Sequence, residues 1–184
     1  REANKKNFYI KAGRNYKSGD QIFLSYSKKD LYLHAINYNY FDPKGLHFIH
    51  FGYRFVQTAQ TPFEKAVAQV TTNKHHVKTD VRGGKLLYRS VDPDAAFTVD
   101  GPTPSLISYL KDNSFQDLES LKKCHYKKEA FVGHFKSALN SLKNCIQIES
   151  IELNDLPPKL HRFYFALEKE LEIIKANEDW VLKF

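Results

Sequence analysis

Methionine is absent from all 184 residues, tryptophan occurs once and cysteine only twice. A chain of this length that starts at Arg1 and has no methionine reads as a fragment, or as one from which residues are missing. Cys124 and Cys145 fall in stretches of helical pattern and are expected to be buried thiols. No run approaches the roughly 18 uninterrupted apolar residues that a membrane helix requires. Residues 1–7 are charged and polar and lack the apolar centre of a secretory signal. The expectation is a soluble protein of the cytoplasm, with the nucleus as a second compartment. Acidic residues are also in deficit, 21 against 28 basic ones, for a net charge of +7. That balance favours an acidic partner without naming one. Basic residues interleaved with exposed aromatics in a known nucleic-acid module are not found, so direct nucleic-acid binding is not expected.

Rings and apolar residues, by contrast, are abundant. Apolar residues make up 42% of the chain, and fourteen Phe and eleven Tyr point to a core or a channel lined by aromatic side chains. Residues 8–26 read as extended, with a turn at Lys17-Ser18-Gly19-Asp20 and a β-branched, aromatic run from Gln21 to Tyr26. Leu31, His34, Ala35 and Tyr38 share one face of a helical turn that Asp30 can cap. Asp42-Pro43-Lys44-Gly45 breaks the chain, and Leu46–Phe55 reads as a strand.

From Thr61 the pattern changes. Thr61-Pro62 places a capping residue before a proline at the first helical position, predicting a helix over about 62–70. Turn residues divide 76–101 into short strands, with Arg82-Gly83-Gly84-Lys85 as a hairpin turn rather than a phosphate loop. Helices are expected over about 104–112, 115–124, 127–149 and 157–178. In the last, Leu160, Phe163, Tyr164, Leu167, Leu171 and Ile174 form the apolar stripe. The fold class is α+β: a small β-rich piece over 1–57, followed by a mostly helical lobe over 58–184.

Lys17-Ser18-Gly19-Asp20-Gln21-Ile22-Phe23-Leu24-Ser25-Tyr26 resembles the segment that closes the catalytic core of SET-domain methyltransferases. Ala35-Ile36-Asn37-Tyr38-Asn39-Tyr40-Phe41-Asp42-Pro43 is similar to the family's apolar turn ending in Tyr-Gly-Phe. Asn39 stands where the family has glycine, and Tyr40 where it has phenylalanine. The sequence looks closest to the Rubisco large-subunit methyltransferase type, whose SET core is followed by a helical substrate-binding lobe. Thr61-Pro62-Phe63, Thr103-Pro104-Ser105-Leu106 and the helix over 161–176 are similar to parts of that lobe.

The resemblance implies a protein-lysine methyltransferase using S-adenosylmethionine, with a ribosomal protein or elongation factor as substrate. A related branch methylates histidine. Tyr26 maps to the catalytic tyrosine, Leu24 and Tyr38 to the walls of the substrate-lysine channel, and Tyr26 and Tyr40 to the cofactor side. In that chemistry a neutral amine attacks a sulfonium methyl in line, at roughly 3 Å, in a dry channel. Burial in such a channel lowers the amine's pKa, and the ring faces stabilise the methylated cation. The family's Gly-rich segment and Asn-His motif do not occur in this chain, so if Arg1 is the true start the chain alone is expected not to methylate. Two other classes stay open: a non-catalytic protein-binding module derived from a SET protein, and a basic RNA- or ribosome-associated domain. No metal site is expected, because His47 and His50 point to opposite faces of a strand and His75-His76 lack partners at ligand spacing. Cys124-His125 reads as a buried thiol beside a surface histidine. The Lys122-Lys123 and Lys127-Lys128 cluster reads as a solvated face, with the steering of an acidic substrate region as the alternative.

Overall fold

The computed structural model describes residues 2–3, 8–9, 15–20, 35, 47–146 and 151–184, with only the backbone at 2–3, 8–9, 53 and 54. Two short strands, β1 (Glu2–Ala3) and β2 (Phe8–Tyr9), pair antiparallel. β3 (Phe48–His50) is followed directly by the helical turn α1 (Phe51–Arg54) and then β4 (Gln57–Ala59). The single strand expected over 46–55 is therefore interrupted, and the cause is local. The His50 ring accepts the Gly52 N–H through Nδ1 at 3.1 Å and starts a helical turn as an N-cap would. Phe51 N–H meanwhile reaches the Ala95 carbonyl at 2.9 Å, so the chain stays attached to the sheet as it turns.

Thr61 opens α2 (Pro62–Lys74) with a capping box. Its hydroxyl accepts from Glu64 N–H at 3.2 Å, and the Glu64 carboxylate accepts from Thr61 N–H at 2.9 Å and Gln60 N–H at 2.8 Å. Those backbone donors hold the Glu64 carboxyl below its ordinary pKa. The helix runs one turn past the predicted end. β5 (Val77–Arg82) and β6 (Lys85–Ser90) form the expected hairpin, with Gly83 and Gly84 at φ +55° and +74° supplying the left-handed turn. β7 (Ala96–Thr98) and β8 (Gly101–Pro102) form a second one, also closed by a two-residue loop.

The strands make two three-stranded antiparallel sheets, in the orders β3-β7-β8 and β4-β6-β5. Because β3 pairs with β7, residues on either side of position 57 belong to one sheet. Helices α3 (Pro104–Asp112), α4 (Leu118–Lys122), α5 (Lys128–Asn144) and α6 (His161–Lys183) follow, with 3-10 turns at Leu153–Asp155 and Pro158–Leu160. The fold is α+β, as its sequence pattern predicts.

Thr103 shows how sequence places a helix. Its hydroxyl donates to the Asp94 carbonyl at 2.6 Å and accepts from Ala96 N–H at 3.0 Å and Leu106 N–H at 3.4 Å, so one side chain caps α3 and ties it to β7. The core lies between the β3-β7-β8 sheet and helices α3, α5 and α6. Ile49, Phe97, Leu106, Phe131, Phe135, Leu139 and Ile173 are fully buried there. Many of the rings pack here: Phe135 meets Phe97 edge-on at 5.5 Å and stacks on Trp180 at 5.4 Å, and Trp180 stacks on Phe184 at 5.1 Å.

The buried stripe of α6 departs from expectation. Ala166, Glu170, Ile173, Ile174, Asn177 and Val181 are buried, while Leu167 and Leu171 are half-buried and Leu160 is exposed. A polar atom on the buried line is admissible where it finds a partner. Asn177 Nδ2 donates to the Thr98 carbonyl at 2.7 Å and to the Ile173 carbonyl at 2.8 Å, fastening α6 to β7.

Both cysteines are exposed free thiols, contrary to the buried placement expected. Each sits at a helix C-terminus. Cys145 is the C-cap of α5. Cys124 follows the C-cap of α4 with φ +54°. His125 N–H returns to the Ser120 carbonyl at 2.9 Å and Cys124 N–H to the Leu121 carbonyl at 3.2 Å, which is a Schellman closure with cysteine in the position glycine usually fills. The left-handed conformation costs an L-residue roughly 1–2 kcal/mol, partly offset by the lower chain entropy it has to lose. Cys124→Gly is therefore expected to raise stability by about 0.5–1 kcal/mol, seen as a higher urea midpoint at unchanged slope.

Candidate functional site

Leu24, Tyr26, Tyr38 and Tyr40 lie outside the described residues. Two flanking parts of the same motif lie within them. The turn expected at 17–20 is present and closed from both sides: Asp20 N–H donates to the Lys17 carbonyl at 3.1 Å, and Lys17 N–H to Asp20 Oδ2 at 2.8 Å. Gly19 has φ +92°, a conformation that glycine adopts without strain. Ala35 is helical and fully buried, and it packs with Ala166 and Phe163 of α6. Of the 17–43 motif, the entry turn is thus formed and Ala35 is seated on the last helix.

Away from this motif, one polar constellation stands out that the sequence did not suggest. Asp112, the last residue of α3, takes His75 Nε2 at 2.7 Å and Lys74 Nζ at 3.1 Å, both from the C-terminal end of α2. The His75 ring also lies edge-on to Tyr109 at 5.6 Å. The Tyr109 hydroxyl donates to Gln57 Oε1 at 2.6 Å, and the Tyr88 hydroxyl to Asn113 Oδ1 at 3.3 Å. Burial, followed by the charge of Glu64, pushes the Tyr88 phenol up to about 12. Burial, followed by the neighbouring Tyr88, drives the Tyr109 phenol above its ordinary value as well. Both phenols therefore stay protonated near neutral pH and act as hydrogen-bond donors. A carboxylate–imidazole pair can orient a general base, but among the described residues no hydroxyl or thiol nucleophile hydrogen-bonds to His75. The cluster clamps two helix ends to β4 and β6.

A sequence signal for this clamp does exist in retrospect. A carboxylate at a helix C-terminus opposes the helix dipole, whereas Lys74 and His75 complement theirs, so Asp112 needs an external cation. The other pairs considered from sequence do not converge on a site. His50 is buried as the cap of α1, and His76 is exposed, its carbonyl accepting Val91 N–H at 2.6 Å. Among the described residues no three His, Cys, Asp or Glu side chains gather where they could hold a metal. In the basic cluster, Lys123 pairs with Glu119 at 2.5 Å, and Lys128 lies over the Phe184 ring at 5.6 Å. A groove of about 340 Å³ between α5 and α6 is lined by Lys136, Asn140, Glu178, Asp179 and Leu182. Among the described residues no helix is long and apolar enough to cross a membrane.

Comparison with known proteins finds no family model, no curated protein and no solved structure that matches this chain.

Proposed function

We propose that this chain is part of a SET-type protein-lysine methyltransferase that uses S-adenosylmethionine, its 1–57 piece completing the active site and its helical lobe holding a protein substrate. The supporting observation is the 17–43 motif: a Gly-acidic-Gln entry, an apolar run ending in Tyr26, and an aromatic turn at Tyr38-Asn39-Tyr40. The closed turn at Lys17–Asp20 and the burial of Ala35 on α6 are compatible with a motif that must hold two ends of a channel in register.

In this reading the Tyr26 hydroxyl orients the amine and polarises the transferring methyl, Leu24 and Tyr38 wall the lysine channel, and Tyr40 lies beside channel and cofactor. S-adenosylmethionine supplies the electrophilic methyl when bound. A ribosomal protein or translation factor in the cytoplasm or nucleus is the proposed substrate.

The test uses the full-length protein and radiolabelled S-adenosylmethionine with a ribosomal protein fraction. Tyr26→Phe removes one oriented, charge-assisted contact at the transition state, so transfer should fall on the order of ten- to a hundredfold with the fold unchanged by circular dichroism. An unchanged rate removes Tyr26 from the mechanism. The second reading, a binding module that has lost cofactor chemistry, draws on Asn39 and Tyr40 standing in place of the family's Gly and Phe. Calorimetry that finds no S-adenosylmethionine binding to the full-length protein decides for it.

A further inference from the structure

The β4-β6-β5 sheet has one face on α2 and one in solvent, and cross-strand register decides which residues share each face. Ala59, Leu86 and Tyr88 lie on the inner face, where Ala59 and Tyr88 pack with Ala68 of α2 and Leu86 joins them. The opposite face therefore carries Thr58, Lys78, Asp80, Arg82, Lys85, Leu87 and Arg89. Thr58, Lys78, Asp80, Arg82 and Lys85 are exposed, and Leu87 and Arg89 are half-buried.

Two cross-strand pairs on this face are like-charged. Lys78 stands opposite Arg89, and Arg82 stands opposite Lys85. Like charges directly opposite each other destabilise a hairpin. The single carboxylate between them, Asp80, binds Arg82 Nε at 2.7 Å, which leaves Lys78, Lys85 and Arg89 without an ion pair among the described residues. A hairpin selected for stability alone would place alternating signs here. The repetition of the unfavourable pairing within one face points to a function for the positive charge.

We propose that this sheet face binds an extended acidic segment of a partner protein. Side chains two apart on a strand repeat at roughly 6.8 Å, the same spacing as alternate side chains of an extended peptide, so glutamates at every second position can meet successive cations. Leu87 within the patch and exposed Val56 ahead of β4 offer apolar contact between the charges. The partner lies across the face and does not add a strand at the edge. The register turns the Val81 N–H outward, and Asp80 Oδ1 already takes it at 2.8 Å, which blocks the free edge of β5 there. A polypeptide fits better than single-stranded nucleic acid, because among the described residues this face presents no aromatic ring on which bases could stack. The proposal stands independently of methyl transfer.

Fluorescence anisotropy of a labelled glutamate-rich peptide containing two leucines tests it on the whole chain, beside a labelled single-stranded RNA of equal length. The peptide should bind more tightly than the RNA. Its affinity should fall about tenfold or more in the double variant Lys78→Glu, Lys85→Glu, and change little in Lys122→Glu, Lys123→Glu. The first variant turns both like-charged pairs into opposite ones, so its unfolding midpoint should not drop. If it does drop, the neutral pair Lys78→Gln, Lys85→Gln takes its place with a smaller loss expected. Tighter binding of the RNA, equal losses from the α4 variant, an undiminished affinity, or no peptide binding at low salt would each overturn the proposal.

Discussion

Phe135→Ala is expected to destabilise the protein by about 3–5 kcal/mol, the range for truncating a fully buried aromatic ring. Phe135 is completely buried and its ring meets three others: Phe97 at 5.5 Å, Phe131 at 6.0 Å and Trp180 at 5.4 Å. Its removal leaves a cavity between the β3-β7-β8 sheet, α5 and α6. Helices pinned to a sheet at several points collapse into such a space only in part, which places the cost above bare transfer of the ring. The lone tryptophan makes the change visible. Trp180 stacks on Phe135 at an interplanar angle of 28° and on Phe184 at 27°, so its emission reports on the site directly. Urea titration followed by that emission should show the midpoint shifted strongly down, and a loss under about 1 kcal/mol would mean the ring does not occupy the core as described.

Gly52→Ala should cost about 3 kcal/mol or more, at the upper end of what overpacking causes. A Cβ at position 52 would fall 1.9 Å from the Ser90 carbonyl oxygen and 2.8 Å from its carbon. Those are backbone atoms of β6, and they cannot rotate aside as a flexible side chain would. Either α1 lifts from β6, or the His50 cap on the Gly52 N–H breaks and the turn opens. Gly133→Ala is the matched control. Gly133 lies within α5 with nothing within 4 Å of the added atom, so the same substitution there should stabilise by roughly 0.5–1 kcal/mol. Opposite signs from one chemical change separate close backbone approach from helix propensity, and equal effects would contradict the packing of Gly52 on β6.

The same residues show what a sequence reveals and what it withholds. Thr61-Pro62 marked a helix start to the residue, because capping and the fixed φ of proline act within one turn, and the helix expected over about 104–112 spans those residues. Gly83-Gly84 marked its hairpin for the same local reason. The break of β3 at His50 was not legible, since it depends on which way an imidazole turns and on a carbonyl at Ala95 that only folding brings close. The α6 stripe was misjudged by about one position per turn, because Glu170 and Asn177 hold buried positions that hydropathy assigns to leucine. Asp112 and His75 meet across the fold, beyond the reach of any periodicity. Of the candidate site, the Lys17–Asp20 turn and the helical, buried state of Ala35 match the reading. Leu24, Tyr26, Tyr38 and Tyr40 lie outside the described residues, and their convergence is the question the methyl-transfer experiment answers.

The junction of two alanines, 35 and 166, has a mechanical consequence. Ala35 is fully buried against Ala166 and Phe163 in the front half of the final helix. The rear half of that helix holds Ile173, Ile174 and Val181 inside the principal core. One rod therefore serves both Ala35 and the principal core. Loosening that helix slackens both contacts, and melting should proceed as a single concerted event rather than piece by piece.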